Sequence, residues 1–117
     1  MKEIRIVSAT GVLGSGFREE SLKRAMTREP HFIGADSGST DPGPYYLGSG
    51  EALFADSAFK RDLRLMILAG RAAKIPVIVG SACTGGADVQ HSPTFRSSAR
   101  SFACSVGVTR WMIQMRS

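Results

Sequence analysis

Asp36, Asp41 and Asp88 each stand in a glycine-rich stretch that follows an apolar run. Carboxylates so placed can hold a divalent cation together with water, or one of them can act as a general base. Asp36 and Asp41 are the candidate catalytic residues. Asp36 directly follows "HFIGA", and an acid at the end of an apolar strand is costly to desolvate unless it is paired or used. Asp41 precedes Pro42 and equally suits the opening of a turn, and Asp88 equally suits a helix N-cap.

Around these acids lie groups that could bind a ligand. Ser37, Ser39, Thr40, Ser81 and Thr84 supply hydroxyls. Gly11, Gly14, Gly16, Gly38, Gly85 and Gly86 allow backbone N–H groups to approach a ligand, and phosphate is what such loops commonly cradle. Tight turns without a ligand are the plainer reading of the same glycines. Tyr45 and Tyr46 either line a pocket or pack the long loop that contains them. The candidate ligand-binding set is therefore Gly11, Gly14, Gly16, Ser37, Gly38, Ser39, Thr40, Tyr45, Tyr46, Ser81, Gly85, Gly86 and Asp88.

A Walker loop and a Ser–His–Asp triad are excluded, and a dinucleotide site, for which Asp36 ends the second strand where a ribose-binding acid would sit, is disfavoured. No GxxxxGK[ST] is present, and Gly11, Gly14 and Gly16 read G-x-x-G-x-G rather than the dinucleotide order G-x-G-x-x-G. No histidine lies between residues 32 and 90, and His31 stands at the wrong end of its strand, so no Ser–His–Asp triad can be assembled. Cys83 reads as a nucleophile on a glycine-rich turn or as an inert buried thiol. The residues name neither a cofactor nor a metal.

What positions these groups is an alternation of strands and helices. "EIRIVSA" at 3–9 predicts a first strand, with Ile4 and Ile6 on one face and Val7 on the other. "FREESLKRAMTRE" places Leu22, Ala25 and Met26 at helical spacing with acids in the first turn, and Pro30 stops it, which predicts a helix near 18–28. A second strand follows at 31–36. A longer helix at 57–73 carries Phe59, Leu63, Met66, Gly70 and Ala73 on one stripe, with Asp56 or Ser57 as candidate cap. "IPVIVGSA" at 75–81 is uninterrupted enough for a central parallel strand.

The expected fold class is α/β: a β-α-β-α-β parallel sheet fragment of three-layer type, with right-handed crossovers. All three glycine-rich breaks then fall on one edge, the carboxyl edge where open α/β sheets bind ligands. The connections that enter the strands, "REP" and "KIP", are short and plain. That asymmetry is what a one-sided site produces.

The chain divides by composition. Residues 1–88 hold 11 Lys and Arg against 10 Asp and Glu; residues 89–117 hold four arginines, no lysine and no acid. The net charge of +5 therefore resides mostly in the last quarter, which argues against a nucleic-acid surface on the folded part. We read 1–88 as a partial α/β domain. For 89–117 three readings stand open: a basic, disordered Ser/Arg-rich tail, a short strand-bearing end, or an out-of-frame product. No apolar run reaches the length of a membrane helix, "MKEIRIVSATG" lacks the apolar core of a signal peptide, and the two cysteines form no disulfide framework. The expected compartment is the cytoplasm.

"VSATGVLGSGF", the signature "DSGSTDPGPYYLGSG", "KRDL" and "IPVIVGSACTGGAD" together resemble the N-terminal region of the acyclic terpene utilisation protein family, also described as a domain of unknown function. The signature is matched at Asp36, Gly38 to Gly48 and Gly50, and the third turn at Gly80 to Ala82 and Gly85 to Ala87, with Cys83 where glycine is expected. The resemblance covers about Met1 to Asp88. It implies the N-terminal portion of a longer bacterial protein for the catabolism of acyclic terpenoids or related acyl compounds. The expected ligand is an anionic small molecule such as an acyl-CoA. The alternative is a non-catalytic subunit or scaffold whose loops meet a second copy or a partner subunit.

Overall fold

The computed structural model describes residues 3–38, 42–49, 51 and 53–84, with 43 and 81–84 as backbone alone. Its elements run β1 (Ile6–Ser8), α1 (Glu19–Met26), β2 (Phe32–Gly38), α2 (Gly43–Ser49), α3 (Asp56–Ala73) and β3 (Val77–Thr84). The three strands form one parallel sheet in the order β1-β2-β3. The α/β class and the shared edge expected from the sequence are thus present. The tail 89–117 lies outside the described residues.

Alternation along the strands sorts their side chains between two faces. Val7 and Ile33 are buried, with Ala35, Val77 and Val79 packed beside them. Leu22 of α1 and Phe59, Leu63, Met66 and Ile67 of α3 complete the same core, so both helices cover one face of the sheet. Ile6 and Ile78 fall on the other face and are exposed.

α1 follows its composition. Glu19 and Glu20 occupy the first turn and Lys23 and Arg24 the last, as the helix dipole favours. Arg18, its N-cap residue, makes no side-chain cap. The chain leaves α1 through Glu29 at φ 51° and passes Pro30 and His31 before entering β2 at Phe32.

α3 begins at Asp56, one residue before the expected start. The expected cap by Asp56 or Ser57 is not formed: Ala55 is the N-cap residue and has no side-chain hydrogen bond. Asp56 instead sits in the first turn and pairs with Lys60 at 3.6 Å. The helix closes with a Schellman arrangement. Lys74 N–H donates to the Arg71 carbonyl at 3.1 Å and Ile75 N–H to the Gly70 carbonyl at 2.9 Å, with Lys74 left-handed at φ 56°. Gly70 allows α3 to lie against β3: a Cβ there would stand 2.5 Å from Val77 Cγ2 and 3.2 Å from the Ile75 carbonyl oxygen.

α2 was not anticipated, because the stretch containing it reads as pure loop. Its two prolines fall where a helix needs no donors. Tyr46 N–H donates to the Pro42 carbonyl at 3.2 Å, so Pro42 and Pro44 sit at the start, before any intrahelical N–H is required.

Candidate ligand edge

The carboxyl edge is assembled by its own backbone. Leu13 N–H, in the loop after β1, donates to the Asp36 carbonyl at 2.8 Å and ties the first loop to the end of β2. Within that loop the Ser15 hydroxyl donates to the Val12 carbonyl at 2.6 Å, and Thr10 and Ser15 hydroxyls meet at 2.9 Å. Leu13 is buried at the centre of the turn.

Asp36 stands at this edge, but not desolvated as its place in the sequence suggested. Strand β2 continues to Gly38, and alternation turns Ser37 toward the core and Asp36 outward, where it is exposed. Its Oδ1 accepts from the N–H groups of Ser37, at 2.7 Å, and Gly38, at 2.9 Å. Those two donors leave the regular ladder, which coincides with the register shift between Asp36, opposite Gly80, and Gly38, opposite Thr84. Oδ2 accepts no hydrogen bond among the described residues. Among the described residues the carboxylate is thus anchored by one oxygen and open at the other. Gly80 is its register partner, and a Cβ there would meet Asp36 Oδ1 at 3.6 Å, an ordinary contact.

Gly14 and Gly16 are used differently from the phosphate cradle considered above. Both their N–H groups donate to Oδ2 of Asp62, at 3.1 and 2.9 Å. Asp62 is fully buried on α3, and its Oδ1 accepts from Arg61 Nη1 at 2.8 Å. Arg61 Nη2 in turn donates to the Phe17 carbonyl at 3.2 Å, with the guanidinium 5.9 Å from the Phe17 ring centre. A protein carboxylate therefore fills the place an anionic ligand would take. Gly14 is at φ 99°, and a Cβ there would come within 2.7 Å of Phe54 Cβ, so glycine is required for the loop to reach Asp62. Gly11 meets no such restriction. Asp62 was missed at the sequence level. Its signal was its position three residues after Phe59 on the apolar stripe of α3, where an acid must be paired.

Tyr45 and Tyr46 lie on α2 with their rings edge to face, centres 5.1 Å apart. Tyr45 and Leu47 are 66% and 54% exposed. Ser81 belongs to β3 on the same edge through its backbone. Ser39, Thr40, Asp41, Gly85, Gly86 and Asp88 lie outside the described residues. Among the described residues no three His, Cys, Asp or Glu side chains come together as a metal site, and no helix is long and apolar enough to cross a membrane.

No protein-family model matches the chain, and no curated protein and no solved structure does.

Proposed function

We propose that this domain binds an anionic small molecule at the carboxyl edge of its sheet, with Asp36 Oδ2 as the acceptor or base that meets the ligand. The observation that carries the reading is the half-anchored carboxylate: Oδ1 is held by two backbone N–H groups while Oδ2 has no partner among the described residues. Such an arrangement fixes the acid's direction without consuming it. With Gly14 and Gly16 already bound to Asp62, the ligand belongs at the ends of β2 and β3 rather than in the first loop, with a proton-bearing group on Asp36 Oδ2 and its anionic part directed away from that carboxylate. The resemblance to the acyclic terpene utilisation family supplies the class of compound: an acyl-CoA met in the degradation of acyclic terpenoids, with the chain as the N-terminal part of a cytoplasmic catabolic protein.

A second reading is favoured by Tyr45 and Leu47, large side chains standing exposed on α2. They suit a contact with a partner subunit or a second copy, with the glycine-rich loops as an interface.

One substitution separates the readings. Asp36→Asn retains an oxygen for Ser37 and Gly38 N–H but loses the charge, so stability should change by less than about 1 kcal/mol. Affinity for a branched acyl-CoA should fall about tenfold or more. Unchanged affinity with a large fall in melting temperature makes Asp36 a strut, and the site reading is then wrong.

A further inference from the structure

β1 pairs only with β2, so among the described residues its other edge has no strand beside it. An open edge presents unpaired N–H and C=O groups, a template for another extended chain. Beside this edge runs a groove of about 310 Å³, lined by Ile6, Val7 and Ser8 of β1 and by Ser21, Arg24 and Arg28. These last three recur at three- and four-residue spacing and share one side of α1 and the turn after it. The Arg28 backbone is fixed by Arg5, whose Nη1 donates to the Arg28 carbonyl at 2.7 Å. Yet among the described residues neither the Arg24 nor the Arg28 guanidinium has an ion-pair or hydrogen-bond partner.

We propose that this groove takes an extended acidic segment of a partner protein, which adds a strand to β1 and places carboxylates on Arg24 and Arg28. A peptide satisfies both features at once: its backbone meets the strand edge, and its acidic side chains meet the arginines. A small anion would answer the arginines and leave the edge open. A second copy paired through β1 would bring the arginine pairs of both chains together, at a cost in like-charge repulsion. Residues 89–117 of the chain itself carry four arginines and no acid, and so lack the charge. This inference is independent of the ligand reading, since the groove flanks the sheet beside α1 and Asp36 is not part of it.

The test uses the full chain and a fluorescein-labelled peptide alternating Val and Glu, followed by fluorescence anisotropy. The same peptide with Lys for Glu, and a Val–Glu peptide with its backbone nitrogens methylated on alternate residues, serve as controls. The Val–Glu peptide should bind at least about tenfold more tightly than either control. The double variant Arg24→Glu, Arg28→Glu, both exposed positions, should stay folded with a modestly lowered melting temperature, because Arg24 leaves the favourable C-terminal turn of α1, and should reverse the preference to the Lys peptide. Amide signals of Ile6, Val7 and Ser8 should shift with the Val–Glu peptide alone. Absence of binding at millimolar peptide overturns the proposal. Equal binding of the methylated peptide also overturns it, because charge attraction would then act without strand addition. If the double variant binds the Val–Glu peptide as before, the arginines are not the recognition element and the proposal falls.

Discussion

Replacing Asp62 by alanine should unfasten the first loop. The carboxylate accepts from Gly14 N–H, which is buried, and Gly16 N–H, which is partly buried, and it meets Arg61 on its other oxygen. A buried N–H left without a partner costs about 1–3 kcal/mol, with Gly14 near the middle of that range and Gly16 at its lower end. The pair with Arg61 adds little, because the Arg61 side chain is 52% exposed and its charge is screened by solvent. The expected loss is therefore about 3 kcal/mol, a large part of the stability of a domain this size. Asp62→Asn keeps one oxygen for the two glycines and turns a donor toward Arg61, and should lose about 1–2 kcal/mol. Urea denaturation measures both values, and amide hydrogen exchange at Gly14 and Gly16 shows where the loss arises. If Asp62→Ala stays within about 0.5 kcal/mol of the parent and the two glycine amides keep their protection, the carboxylate is not what holds the loop.

Two further effects follow from the helix ends. Lys74→Gly relieves the left-handed strain just past α3 while preserving both Schellman hydrogen bonds, and should stabilise the domain by about 0.5–1 kcal/mol, read as a raised thermal midpoint. Glu19 and Lys23 form an i,i+4 pair at 2.9 Å, whose hydrogen bond holds the Glu19 carboxyl below its usual pKa and the Lys23 ammonium above its own. Their contribution should be present across the neutral range. It is lost on the acid side as pH falls through the lowered Glu19 value, and on the alkaline side as pH rises through the raised Lys23 value. Comparing melting temperature against pH for the parent and Glu19→Gln should show the difference close at acid pH and under high salt.

The fold was legible because its signals are periodic. The uninterrupted run Val77 to Val79 marked a parallel strand, though among the described residues β2 is the middle strand and β3 an outer one with Ile78 exposed, and Phe59, Leu63, Met66 and Gly70 marked the buried stripe of α3. The boundaries moved where local chemistry departed from the pattern: β2 runs two residues past Asp36 because its pairing with β3 resumes at Gly38 opposite Thr84, after a register shift where the Asp36 carboxylate accepts from Ser37 and Gly38 N–H. α2 was hidden because Pro42, Gly43 and Pro44 read as loop residues by type, although prolines at a helix start cost nothing. The glycines of the first loop signalled N–H groups aimed at an anion, and that much was right in kind. The anion is Asp62, brought in from forty-odd residues away, and only its place on an apolar stripe marked it in advance.

The central claim is that the ligand sits at the ends of β2 and β3. Titration of the labelled chain with 3-methylbutanoyl-CoA, followed by amide chemical shifts, tests it most directly. The account predicts shifts at Asp36 to Gly38 and at Gly80 to Thr84, with Gly14 and Gly16 nearly still because Asp62 holds their N–H groups. Shifts confined to the opposite edge, at Arg5, His31 and Ile75, or no shift anywhere, would contradict it.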